Sequence, residues 1–141
     1  MDYRVLAEEL LALGAQLSHV PANQQLSALM RGELFVLNYL MAHNNTAYPK
    51  ELSQQMAVST ARIAALLGQM EEKGLVCRTP DTQDARHIIV SLTQKGLGEI
   101  KRKRELTVET VAKMLELLGP EDAKEYLRLQ AELIQDSTFA P

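Results

Sequence analysis

The chain has no tryptophan, one cysteine, and only four tyrosines and two phenylalanines among its 141 residues. The single cysteine, Cys77, excludes an internal disulfide and a cysteine-cluster metal site. The three histidines, His19, His43 and His87, stand far apart with no ligand spacing, so no metal is expected. No apolar run approaches the roughly 18 residues that cross a bilayer, and the opening stretch MDYRVLAEEL has no basic segment ahead of an apolar one. A cytoplasmic protein without a membrane partner is expected. Also missing are a glycine-rich phosphate loop, a nucleophile beside a base, and carboxylates paired for acid–base work. Glu71 and Glu72 read as a solvated pair at a helix end, so neither an enzyme nor a cofactor is expected.

The chain holds 46% hydrophobic residues, enough for one well-buried core and too few residues for two ordinary domains. Abundant Ala and Leu with scarce aromatics favour a mainly helical fold. The net charge of −3 does not by itself suggest nucleic acid. Its distribution is uneven, however. Between residues 47 and 104 there are ten Lys and Arg against six Asp and Glu, and the remainder of the chain is strongly acidic. Phosphate binding needs a local positive surface and not a positive whole. The run from Lys101 to Arg104 supplies that whole excess, so the charge pattern alone does not decide the matter.

Periodicity organises the chain. Leu6, Leu10, Leu13 and Leu17 alternate four- and three-residue steps, an amphipathic helix that should stop before Pro21. A second helix is predicted over about 31–43, with Leu34, Leu37 and Met41 on one face and Asn44-Asn45 as its turn. Pro49 suits the first position of a short helix carrying Leu52 and Met56. Ala57-Val58 then make a tight connection to Ser59, a good N-cap. The next helix has Ile63, Leu66, Leu67 and Met70 on its buried side and ends at Gly74. Two helices joined by about three residues are a helix-turn-helix.

Beyond Gly74 the period becomes extended. Strands are predicted over 75–79, with Cys77 as a small buried core residue, and over 87–92, with a polar turn between them. Thr93 caps a long helix reaching Leu118, Gly119-Pro120 breaks it, and a last helix covers about 121–135. The fold class is therefore mainly α: a winged helix-turn-helix with a two-stranded wing and N- and C-terminal dimerisation helices. The terminal helices carry apolar stripes, including Val108, Val111, Met114, Leu115 and Leu118, that a domain of roughly 60 residues cannot cover. Burial between two copies is the simplest solution.

A helix-turn-helix sets the start of its second helix in the major groove. Those positions are Ser59, Thr60, Ala61 and Arg62, with Gln69 further along the exposed side. Arg62 has the length and fork to bond guanine, and free N–H groups at the helix start suit a phosphate oxygen. The competing reading makes Ser59 only a cap and Arg62 only a surface charge. In the wing, Arg86 suits a narrow minor groove, while Arg78 and His87 lie within reach of phosphates. Asp84, two residues before Arg86, suits bracing its guanidinium. Partners then follow: double-stranded DNA and a second copy of the chain. The other function class that fits is a winged-helix module for protein–protein contact.

The run MEEKG from Met70 to Gly74, followed after a strand by DTQDARHIIVSLTQKG from Asp81 to Gly96, resembles the multiple antibiotic resistance regulator (MarR) family. That family's wing reads approximately D-x-x-D-x-R-x-x-x-V-x-L-T-x-K-G, and Asp84, Arg86, Val90, Leu92, Thr93, Lys95 and Gly96 fit it. The resemblance covers nearly the whole chain. It implies a single domain over 1–141, with 1–30 and 105–141 as dimerisation helices and 31–104 as the winged DNA-binding region. It further implies a dimer on a pseudopalindromic operator, usually a repressor, released by a small-molecule or oxidative signal. A pocket between the dimer and DNA-binding regions would draw on Leu13, Leu17, His19, Phe35 and Tyr39, which are otherwise core residues. Two features depart from the family: Ala85 replaces a second wing arginine, and Ala65 and Gln69 stand where arginines are frequent. Each lost phosphate contact weakens binding and flattens its salt dependence.

Overall fold

The computed structural model describes residues 1–135. Seven helices and three strands follow in the order α1 (Tyr3–Leu17), α2 (Pro21–Ala28), α3 (Gly32–Ala42), β1 (Thr46–Ala47), α4 (Pro49–Met56), α5 (Thr60–Glu72), β2 (Val76–Pro80), β3 (Ile88–Leu92), α6 (Gln94–Leu118) and α7 (Pro120–Gln135). The mainly helical, winged expectation holds. The end of the expected C-terminal dimerisation segment, 136–141, lies outside the described residues.

Pro21 opens a helix that the sequence reading did not contain. Proline costs nothing at the first helical position, whose N–H has no partner in any case. Val20 takes the extended conformation demanded of a residue before proline, with φ −72° and ψ 129°. The short helix α2 buries Ala22 and packs on α6. A third strand also joins the wing. The two residues of β1 pair antiparallel with β3, Thr46 opposite Ser91 and Ala47 opposite Val90, so the sheet order is β1-β3-β2. The β2–β3 hairpin runs in register from Val76–Leu92 to Pro80–Ile88.

The core gathers Val36, Leu37 and Leu40 of α3, Leu52 of α4, Ile63, Leu67 and Met70 of α5, and Leu75, Val76, Val90 and Ile100 around the sheet. Strand alternation turns Val76 inward and its neighbour outward, so Cys77 is exposed. This corrects the expectation of a buried cysteine.

The helix-turn-helix corner is held from within. Ala57 adopts the left-handed conformation, with φ 55° and ψ 44°, and the buried Ser53 hydroxyl donates to the Val58 carbonyl at 2.6 Å. Ser59 caps α5 by accepting from the Arg62 N–H at 3.1 Å, and Gly74 ends the helical turn at φ 75°. Thr93 does two things at once. Its Oγ1 accepts from the Gly96 N–H at 3.0 Å and donates to the Gly74 carbonyl at 2.6 Å, fastening the start of α6 to the exit of α5.

Candidate DNA-binding face

The first turns of α5 stand clear of the core. Ser59, Thr60, Ala61, Arg62, Ala64, Ala65 and Gln69 are exposed, while Ile63, Leu67 and Met70 point inward. Arg62 makes no ion pair among the described residues, so its guanidinium is available to an outside acceptor. A groove of about 220 Å³ beside it is shared with Arg31, Met30, Met56 and Leu66.

Arg78 lies across the same helix. Its Nη2 donates to Glu71 Oε1 at 3.2 Å, and its backbone N–H donates to the other carboxylate oxygen at 2.9 Å. These two bonds hold the Glu71 carboxyl below the usual range, the backbone bond contributing most. Glu71 is thus a clasp between the recognition helix and the wing strand, and not the free surface charge suggested by the sequence. The guanidinium passes over Gly68, where a Cβ would stand in ordinary contact with Arg78 Nη2 at 3.7 Å.

In the wing, Arg86 forms a forked pair with Asp84: Nε to Oδ1 at 3.0 Å and Nη2 to Oδ2 at 3.0 Å. The Arg86 backbone N–H also donates to Asp84 Oδ1 at 3.1 Å. With the Arg86 side chain 88% exposed, such a pair adds little stability. Its effect is orientation, since two parallel bonds fix the plane of the guanidinium. The Arg86 side-chain hydrogen bond, then its backbone bond, lowers the Asp84 pKa, so the brace stays charged at neutral pH. His87 lies close by, its Nδ1 3.9 Å from Asp84 Oδ2, and its ring meets Tyr48 edge-on at 6.2 Å. Between the wing and the start of α4 opens a cleft of about 600 Å³, lined by Tyr48, Lys50, Gln54, Arg86, His87 and Ile88 among others.

The structure therefore sets the recognition-helix start and the wing arginine on exposed surface of one winged domain. The five residues read as pocket-lining are not gathered in the same way. Leu13, Leu17 and His19 are exposed on α1 and its exit. Phe35 and Tyr39 are half-buried on α3, stacked 6.0 Å apart, and Tyr39 donates to Glu51 Oε2 at 2.7 Å. None of the five lines the cavities described here. A cavity of about 120 Å³ does lie where α2, α3 and α6 meet, walled by Gln25, Leu29, Leu34, Lys103 and Thr107. The buried Gln25 Oε1 has no hydrogen-bond partner among the described residues. Sequence reasoning missed Gln25 because it missed the helix that carries it.

Residues 33–111 match the model of a winged helix DNA-binding domain. The HTH-type transcriptional repressor MdtR of Bacillus subtilis is 30% identical over 105 residues, which cover 73% of this chain and 66% of that protein. The chain thus spans about two thirds of that relative's length. An uncharacterized HTH-type transcriptional regulator of the same organism, YwhA, is 24% identical over 101 residues, covering 72% of each protein. Among solved structures, a MarR family protein from Bacillus stearothermophilus superposes with a TM-score of 0.77 at 25% identity, over 98% of this chain and 99% of the other. The YusO protein of Bacillus subtilis has the same fold, with a TM-score of 0.72 at 23% identity over 96% and 98% of the two chains. With more than half of its length matching the winged-helix model and its wing motif in place, this chain is a transcriptional regulator of the MarR family, built on a winged-helix DNA-binding domain.

Proposed function

We propose that this regulator is a homodimeric repressor that binds a pseudopalindromic operator and releases it in response to a small molecule. The observation that carries the proposal is how the chain divides its burial. Apart from Ala22, every buried apolar side chain among the described residues lies between Val36 and Ile100. The helices α1 and α7 bury none, although Leu10, Leu11, Leu127, Leu133 and Ile134 lie on them. Exposed apolar faces of this extent mark interaction surfaces. A two-fold pairing covers both helices with one self-complementary contact. On this reading residues 1–30 and 105–141 dimerise, and 31–104 bind DNA. The relative MdtR is a repressor by name, which supports that sign of regulation here.

At the operator, α5 enters the major groove with Ser59, Thr60, Ala61 and Arg62 nearest the bases. Gln69 and Arg78 flank it, and Arg86, braced by Asp84, reaches the adjoining minor groove or backbone beside His87. A two-fold dimer presents its recognition helices to half-sites about one helical turn apart. Leu13, Leu17 and His19 acquire a facing wall only when a second copy covers α1. The effector pocket, with Phe35 and Tyr39 on its α3 side, then depends on dimerisation.

Substitution tests the two arginines separately. Arg62→Ala weakens binding by about 1–3 kcal/mol and relaxes base preference at one position per half-site, as loss of a base contact does. Arg86→Ala weakens binding by a similar amount and shifts preference in the A·T-rich flank instead. Titration of both variants on matched and altered duplexes checks this, and unchanged affinity removes the residue concerned from the interface.

A further inference from the structure

We propose that Tyr48 and Asp81 are wing-positioning residues, their hydrogen bond setting where the wing loop, and with it Arg86, stands relative to the recognition helix. The inference rests on the DNA-binding reading of Arg86 above.

Tyr48 is fixed to the helix-turn-helix through its backbone. It occupies the N-cap of α4, and its N–H donates to Glu51 Oε1 at 2.8 Å. The other Glu51 oxygen is held by the Tyr39 hydroxyl of α3 at 2.7 Å. The Tyr48 side chain then leaves this anchored position and crosses to the wing, where its hydroxyl donates to Asp81 Oδ2 at 2.6 Å. Asp81 follows directly on β2, is only 8% exposed, and organises the whole loop. Its Oδ1 accepts from the Gln83 N–H at 3.1 Å, and its own N–H donates to the His87 carbonyl at 2.8 Å. The His87 N–H in turn donates to the Asp84 carbonyl at 3.0 Å. A single carboxylate therefore joins the loop bearing the Asp84–Arg86 fork to the first helix of the helix-turn-helix.

Few other contacts do this work. Among the described residues, no other side-chain hydrogen bond connects residues 81–87 to α4 or α5. Packing adds the edge-on contact of the His87 and Tyr48 rings at 6.2 Å, which Tyr48→Phe retains, while Arg86 and Ile88 are exposed. The strands stay paired and Arg78 stays clasped to Glu71, but a wing loop held to α4 by this one side-chain hydrogen bond shifts when the bond is lost. The hydroxyl hydrogen bond also lowers the Asp81 pKa and raises that of Tyr48, so the link keeps one fixed protonation through neutral pH.

The test is a double-mutant cycle on a duplex selected from a random pool by the wild-type protein. Tyr48→Phe removes only the hydroxyl, and it weakens binding by about five- to tenfold, the size of a coupling between residues acting as a unit. In the Arg86→Ala background the same change costs nothing further. Asp81→Ala, the second variant, shows the same dependence on Arg86. A merely destabilising change lowers the active fraction equally in both backgrounds, so an equal loss with and without Arg86 overturns the proposal, as does no loss at all. If Arg86→Ala alone leaves affinity unchanged, the wing reading fails first and this inference with it.

Discussion

Placing glutamate at Leu10 on α1 and at Leu127 on α7 gives a protein of single-chain mass in sedimentation at micromolar concentration, with operator affinity down by about two orders of magnitude or more. These leucines are 70% and 53% exposed in the single chain, and glutamate is as good a helix former as leucine. The winged core has no need of either side chain and keeps its helical content. Between two copies the same changes bury four charges without partners, a cost of several kcal/mol for each ion. Affinity falls because binding two half-sites together multiplies one-site affinity by about 10²–10⁴, and a single chain forfeits that factor. An unchanged mass places these helices outside any dimer contact. A single-chain species with undiminished affinity breaks the link between dimerisation and DNA binding.

Gly96→Ala destabilises the fold by roughly 3 kcal/mol or more, at the severe end of overpacking. A Cβ at this position overlaps the Leu75 carbonyl oxygen and stands 2.8 Å from Leu92 Cδ1. The backbone there has no freedom to retreat. The Leu75 carbonyl accepts from the Thr93 N–H at 3.1 Å and lies 3.0 Å from the Thr93 hydroxyl, whose one hydrogen it shares with the Gly74 carbonyl. Gly98, two residues along α6, makes the opposite prediction. A Cβ there meets nothing within 4 Å, so Gly98→Ala stabilises the helix by about 0.5–1 kcal/mol. Denaturant unfolding of the two variants reads both signs. A Gly96→Ala protein as stable as wild type means that α6 does not dock on the Leu75 backbone in this way.

These contrasts also show what the sequence could reveal. The caps were legible, because Ser59 and Thr93 immediately precede periodic apolar runs and Gly74 immediately follows one. The wing pair was legible too: Asp84 and Arg86 are two residues apart, and their chemistry suffices to pair them. Pro21 was misread because proline both ends and begins helices, and only the burial of Ala22 against the rest of the fold decides which. The β1 strand spans two residues, too few for any alternation to register. The outward face of Cys77 was readable in principle, since strand alternation opposes it to Val76. The clasp of Glu71 on Arg78 and the reach of Tyr48 to Asp81, 33 residues away, exist only once the hairpin has folded back on the helices. With Ala65 and Gln69 where the family frequently has arginines, α5 carries Arg62 as its one cation within 60–72.

One measurement bears on the central claim most directly: binding of the purified protein to double-stranded DNA from upstream of its own gene, against a scrambled duplex, across a range of salt. A DNA-reading dimer binds the native duplex selectively, protects two half-sites about one turn apart, and loses affinity steadily as salt rises, by about 0.9 in the log–log slope for each phosphate contact. Equal, weak binding to both duplexes at every salt concentration would contradict it, and would leave the winged domain as a surface for protein contact.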